Sequence, residues 1–90
     1  MYIIAGLGNP GEKYDNTRHN AGFLTIDALA DRYGIDVREK AHKALMGKGV
    51  IEGQKVILAK PQTYMNLSGE SIRALVDYYK VTQEELVIIF

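Results

Sequence analysis

The chain contains no cysteine, which excludes a disulfide framework and a thiolate metal site. It carries no excess of charge. Eleven Lys and Arg stand against eleven Asp and Glu over ninety residues, so no strong overall pull on nucleic acid follows from composition. Long hydrophobic runs are missing too, and the longest apolar stretches are far too short to span a bilayer as a helix. The amino terminus enters a strand-like run with no basic n-region or cleavage signal, which predicts a cytoplasmic protein without membrane contact. Internal repeats, linkers and low-complexity segments are absent from the sequence. Ninety residues allow one domain with one core, and a domain of that size has a thin stability margin.

What is present is a sequence of short strands and amphipathic helices. Tyr2-Ile3-Ile4-Ala5-Gly6-Leu7 is a continuous apolar run of strand length, as expected of a central strand covered on both faces. Ile26, Leu29, Ala30 and Tyr33 then fall at i, i+3, i+4 and i+7, one face of a helix that Gly34 ends. Asn20 is the candidate N-cap of that helix. Ala44 to Ile51 and Gln54 to Lys60 read as an antiparallel pair joined at Glu52-Gly53, with Pro61 ending the second strand. Asn66 or Ser68 caps a second helix whose inner face is Ile72, Leu75, Val76 and Tyr79. Thr82-Gln83-Glu84-Glu85 fits a capping box ahead of a last strand, Leu86 to Phe90. These five apolar residues, with no turn behind them, read as a severed buried strand. The alternation predicts an α/β fold, a mixed sheet with an antiparallel hairpin and flanking helices in a truncated three-layer α/β/α domain.

Charge is uneven within this neutral chain. Arg38, Lys40, Lys43, Lys48, Lys55 and Lys60 outnumber Glu39 and Glu52 in the hairpin region. A solvated rim on the hairpin is the ordinary explanation for such a cluster, and an RNA backbone contact is the alternative.

The polar residues after the first strand carry the chemistry. Gly6-Leu7-Gly8-Asn9-Pro10-Gly11 matches the G-x-G-x-x-G pattern of dinucleotide sites and follows a strand, as that pattern requires. However, Pro10 intervenes and residues 12–18 show no apolar helical face, whereas the nucleotide-binding version opens its helix within the glycines. A nucleotide-binding module using Gly6, Gly8 and Gly11 is thus the lesser alternative. His19 is the sharper candidate. A neutral imidazole with an unperturbed pKa of about 6.5 can take a proton from water and return it to a leaving group. Asn9 and Asn66 are predicted at the ends of separate strand-to-helix loops, which converge on one crevice in an α/β sheet. Amides there can position water or donate to an oxyanion. His42, in the basic segment, reads as solvent-facing, and Ser68 lacks the G-x-S-x-G elbow of a nucleophile. Two histidines without cysteine or a helical H-E-x-x-H pair do not make a zinc site.

Taken together and in order, the strand with G-L-G-N-P-G, then T-R-H-N-A-G-F, then K-P-Q-T-Y-M-N-L-S-G and the final strand resemble the amino-terminal part of bacterial peptidyl-tRNA hydrolases over the whole chain. The resemblance implies an esterase that cleaves the bond between peptide and tRNA and works without metal or organic cofactor. It implies His19 as the catalytic base, and Asn9 and Asn66 as the amides that hold substrate and water. Tyr14 is implied as an aromatic contact near the tRNA end and Met65 as part of the peptide-side wall. It further implies that the family's domain continues past Phe90 with an aspartate that orients the histidine, a third asparagine, a glycine-rich segment and most of the basic tRNA-binding surface. In serine proteases, loss of a comparable orienting carboxylate costs about four orders of magnitude in rate. The 90-residue chain alone is therefore expected to be weakly active or inactive. A non-catalytic truncated α/β module is the alternative. Whole members of the family are expected to be monomeric, whereas an open sheet edge predicts self-association of this chain.

Overall fold

A computed structural model of the chain describes residues 1–8, 20–63 and 67–90. The elements run β1 (Tyr2–Gly6), α1 (Ala21–Tyr33), β2 (Glu39–Ala41), β3 (Ala44–Ile51), β4 (Gln54–Pro61), α2 (Ser68–Tyr79), a 3-10 turn (Gln83–Glu85) and β5 (Leu86–Ile89). The strands form one five-stranded sheet in the order β2-β3-β4-β1-β5. β1 is parallel to both its neighbours, with Ile3 opposite Ile57 of β4 and Leu86 of β5. β3 is antiparallel to β2 and β4. The sheet is mixed and the helices flank it, as the sequence pattern predicts.

Side chains alternate along the strands and so divide the core in two. Ile3, Ala5, Met46, Ile57 and Ala59 pack with Leu75 of α2, joined by Ile72 and Tyr79. Val56 and Leu58 point the other way and pack with Ile26 of α1, joined by Ile4, Leu29, Ala30 and Tyr33. The predicted helical faces are thus the buried ones, on opposite sides of the sheet. Both helices end in the left-handed conformation, α1 at Gly34 (φ 66°) and α2 at Lys80 (φ 54°), each with its N–H bonded to a carbonyl four residues back. The capping box is present: the Thr82 N–H donates to Glu85 Oε1 at 2.9 Å.

Several expectations need correction. Asn20 holds the N-cap position of α1 but makes no cap hydrogen bond with its side chain. α2 has Leu67 at its N-cap, also without a side-chain cap bond, and Ser68 is the first helical residue. Pro61 belongs to β4, opposite Ala44. Pairing with β1 has ended at Ala59, so the missing proline N–H interrupts no bond on that side. β2 is a strand the sequence did not reveal, because Glu39-Lys40-Ala41 lacks an apolar alternation. Its turn to β3 uses His42 and Lys43, both at positive φ (54° and 60°). His42 is not simply solvent-facing. Its ring lies 4.6 Å from that of Tyr78 and 5.7 Å from that of Tyr79, centroid to centroid. Finally, β5 is half-buried rather than buried. It is the edge of the sheet among the described residues, and Val87 and Phe90 expose much of their side chains.

Candidate functional site

The sheet directions place the carboxyl ends of β1, β2, β4 and β5 along one rim. At β1 and β4 the chain departs in opposite directions. β1 leads to α1 on one face, and β4 leads to α2 on the other and so to β5. Such a point between two adjacent parallel strands leaves a crevice beyond the strand ends, where open α/β sheets bind ligands.

All five residues singled out for chemistry fall outside the described residues: Asn9, Tyr14 and His19 within 9–19, and Met65 and Asn66 within 64–66. Gly11 does so as well. The described residues next to them lie on the rim. Gly8 precedes Asn9, and Asn20 follows His19. A Cβ on Gly8 would lie 2.8 Å from Asn20 Oδ1 and 3.0 Å from Cγ of Phe23. The Asn20 side chain, 2% exposed, therefore rests against the backbone at the end of β1. The described residues that adjoin Asn9 and His19 in the sequence thus lie close together at the end of β1.

Close packing brings this about. A Cβ on Gly6 would strike the carbonyl of Gly22, and one on Gly22 would strike the Leu7 backbone and the Ile89 carbonyl. The first turn of α1 can settle on the ends of β1 and β5 only because both positions lack side chains. Gly6 and Gly8 therefore have a packing role, independent of any phosphate. β5 joins the same end, since the Leu7 N–H donates to the Ile89 carbonyl at 2.8 Å.

On the β4 side the rim is charged. Lys60 Nζ contacts Asp27 Oδ1 of α1 at 2.7 Å and stands 5.9 Å from the centroid of the Phe23 ring. Its side chain is only 17% exposed. Lys60 thus ties the end of β4 to the turn of α1 that carries Phe23 against Gly8. Gln62 and Thr63 follow. The Gln62 N–H donates to the Lys43 carbonyl at 2.8 Å, which fixes the β2–β3 turn beside the chain leading to Tyr64. Thr63 Oγ1 is buried without a hydrogen-bond partner among the described residues. The Lys60–Asp27 link, the Gln62 tether and the Thr63 hydroxyl went unnoticed in the sequence, since each pairs residues distant along the chain or depends on burial. Among the described residues no group of three or more His, Asp or Glu could hold a metal ion.

A mixed sheet with helices on opposite faces and a topological switch point between β1 and β4 defines an α/β domain of the class that binds ligands beyond its strand ends. Residues 3–90 match the family model described as peptidyl-tRNA hydrolase, and the chain belongs to that family. It is 63% identical over its full length to a peptidyl-tRNA hydrolase of Agathobacter rectalis and 64% identical to one of Lachnospira eligens. It covers 49% and 48% of those proteins, so the chain spans about half the length of the curated relatives it matches. The crystal structure of peptidyl-tRNA hydrolase from Acinetobacter baumannii superposes with a TM-score of 0.93 at 44% identity, over 98% of this chain and 45% of that one.

Proposed function

We propose that this chain supplies the amino-terminal part of a single esterase domain that hydrolyses the ester between peptide and tRNA in peptidyl-tRNA and releases free tRNA for reuse. His19 acts as general base. It draws a proton from water, which attacks the ester carbonyl. Asn66, with backbone N–H groups, stabilises the tetrahedral oxyanion, and the ribose hydroxyl leaves. Asn9, Tyr14, Met65 and Asn66 contact the substrate. The protein works in the cytoplasm, whole members of the family act as monomers, and this chain self-associates through its open sheet edge.

Family membership over residues 3–90 supports this reading. The observation that carries it in the fold is the contact of Gly8 with Asn20, since these residues adjoin Asn9 and His19 at the ligand rim. The test is deacylation of a peptidyl-tRNA by the 90-residue chain beside its His19→Ala variant. Weak turnover that disappears in the variant is the expected result. Turnover unchanged in His19→Ala would overturn the assignment of the base. No turnover from either protein would favour a non-catalytic module for this chain taken alone.

A further inference from the structure

The basic side chains of the hairpin region differ in what they face. Arg38 meets Asp36 Oδ2 at 3.0 Å, Lys43 meets Glu70 Oε1 at 3.3 Å and Lys60 meets Asp27. Lys48 Nζ sits 5.4 Å from the centroid of the Tyr79 ring. Lys40 and Lys55 have no acidic partner among the described residues. They occupy opposite ends of the hairpin region, Lys40 beside the β2–β3 turn and Lys55 beside the Glu52-Gly53 turn.

Lys40 lines an open pocket of about 520 Å³ together with Ala41, Lys43, Ala44, Leu45 and Gln62. The pocket thus brings two lysines together with alanine, leucine and glutamine side chains. It lies at the carboxyl rim, and Gln62 leads directly to Thr63 and the segment that holds Met65 and Asn66. Lys43 is held only by an exposed ion pair, with Lys43 60% and Glu70 50% exposed. Such pairs contribute about 0–1 kcal/mol, so an incoming phosphate can replace Glu70 at little cost. A nucleotide has the matching chemistry, an anionic phosphate joined through a polar ribose to a base whose flat faces can lie against apolar side chains.

We propose that this pocket binds a backbone phosphate of the RNA substrate, with Lys40 as its unpaired cation and Lys43 exchanging Glu70 for the phosphate. The identity of the RNA rests on the peptidyl-tRNA reading; the pocket and its charge do not. The basic segment then divides by position. Its rim end serves RNA, whereas its far end, where Lys48 and Lys55 line a smaller pocket of about 390 Å³ away from the carboxyl rim, does not.

The test is binding of labelled, uncharged tRNA to the 90-residue chain across a salt series, with Lys40→Glu and Lys55→Glu compared. Both variants make the same change in net charge on exposed hairpin positions, and circular dichroism checks that each is folded. Lys40→Glu is expected to weaken binding by about tenfold and to lower the salt slope by about 1, as loss of one phosphate contact does. Lys55→Glu is expected to bind within about twofold of the parent, as a charge outside the phosphate contacts should. Equal effects of the two variants would reduce the pocket to general electrostatics and overturn the proposal. So would parental binding by Lys40→Glu, or no binding of tRNA by the parent chain. Deacylation dependent on His19 with tRNA binding indifferent to Lys40 would sink the pocket and leave the esterase reading standing. Binding dependent on Lys40 without deacylation would do the reverse for this chain.

Discussion

The carbonyl of Gly22 packs too close to Gly6 to admit a Cβ there, and Gly22 in turn faces the Leu7 backbone and the Ile89 carbonyl. A strand, a helix and a second strand meet there through backbone alone. Helix propensity favours alanine over glycine by about 1 kcal/mol in a helix interior. At Gly22 the sign reverses, because the atoms in the way are main-chain and cannot rotate aside. Gly22→Ala is expected to destabilise the chain by about 1–3 kcal/mol, measured as a fall in the urea midpoint. A gain in stability would show that α1 does not sit down on β1 as described.

Lys60 and Asp27 are expected to couple. The cation is largely enclosed while the carboxylate is half-exposed, so the pair lies between a surface and a buried ion pair. A double-mutant cycle with Lys60→Met and Asp27→Asn is expected to give a coupling of about 1 kcal/mol that weakens with added salt. A coupling of zero at low salt would contradict the 2.7 Å contact.

The turn between β3 and β4 holds Glu52 at φ 51° and Gly53 at φ 78°. Two successive positive values suit Asn-Gly, whereas glutamate tolerates the left-handed region poorly. Glu52→Asn gives up only a long, exposed hydrogen bond from the Tyr33 hydroxyl, 3.5 Å. It is expected to stabilise the chain by roughly 0.5–1 kcal/mol, read from thermal or urea unfolding.

Glu85 provides a pH-dependent contribution. The Thr82 N–H, the amino terminus of Met1 and the Thr82 hydroxyl all bond its carboxylate and hold its pKa below the ordinary 4.5. A group whose pKa is lower when folded stabilises the fold above its unfolded pKa and loses that effect as pH falls through the folded value. Parent and Glu85→Gln should therefore differ in stability at pH 7 and converge below pH 4.5. The measurement is urea unfolding of both proteins at several pH values. A difference that persists unchanged at pH 2.5 would refute the linkage.

Four of the five strands, the inner helix faces and the Gly34 stop of α1 were legible in the residue pattern. These signals are local: apolar runs, a period of 3.6, glycine at positive φ and the Thr82–Glu85 box each act within a few residues. The family was legible for the same reason, since its motifs are contiguous words. Asn20 stands at the N-cap of α1 as expected but without a side-chain cap bond, whereas Leu67 takes the N-cap of α2 and Ser68 its first helical position. β2 escaped notice because a short, charged edge strand takes its conformation from the strand beside it. His42 looked like a surface residue until the turn folded it onto Tyr78 and Tyr79. Gly6 and Gly8, whose spacing matches a phosphate loop only as the lesser alternative, give the room in which α1 meets the end of β1. Only the tertiary structure decided which of the hairpin cations are neutralised, because Asp27 and Glu70 lie on helices far along the chain from Lys60 and Lys43. Pairing across such distances depends on topology, which a linear pattern of charges does not contain.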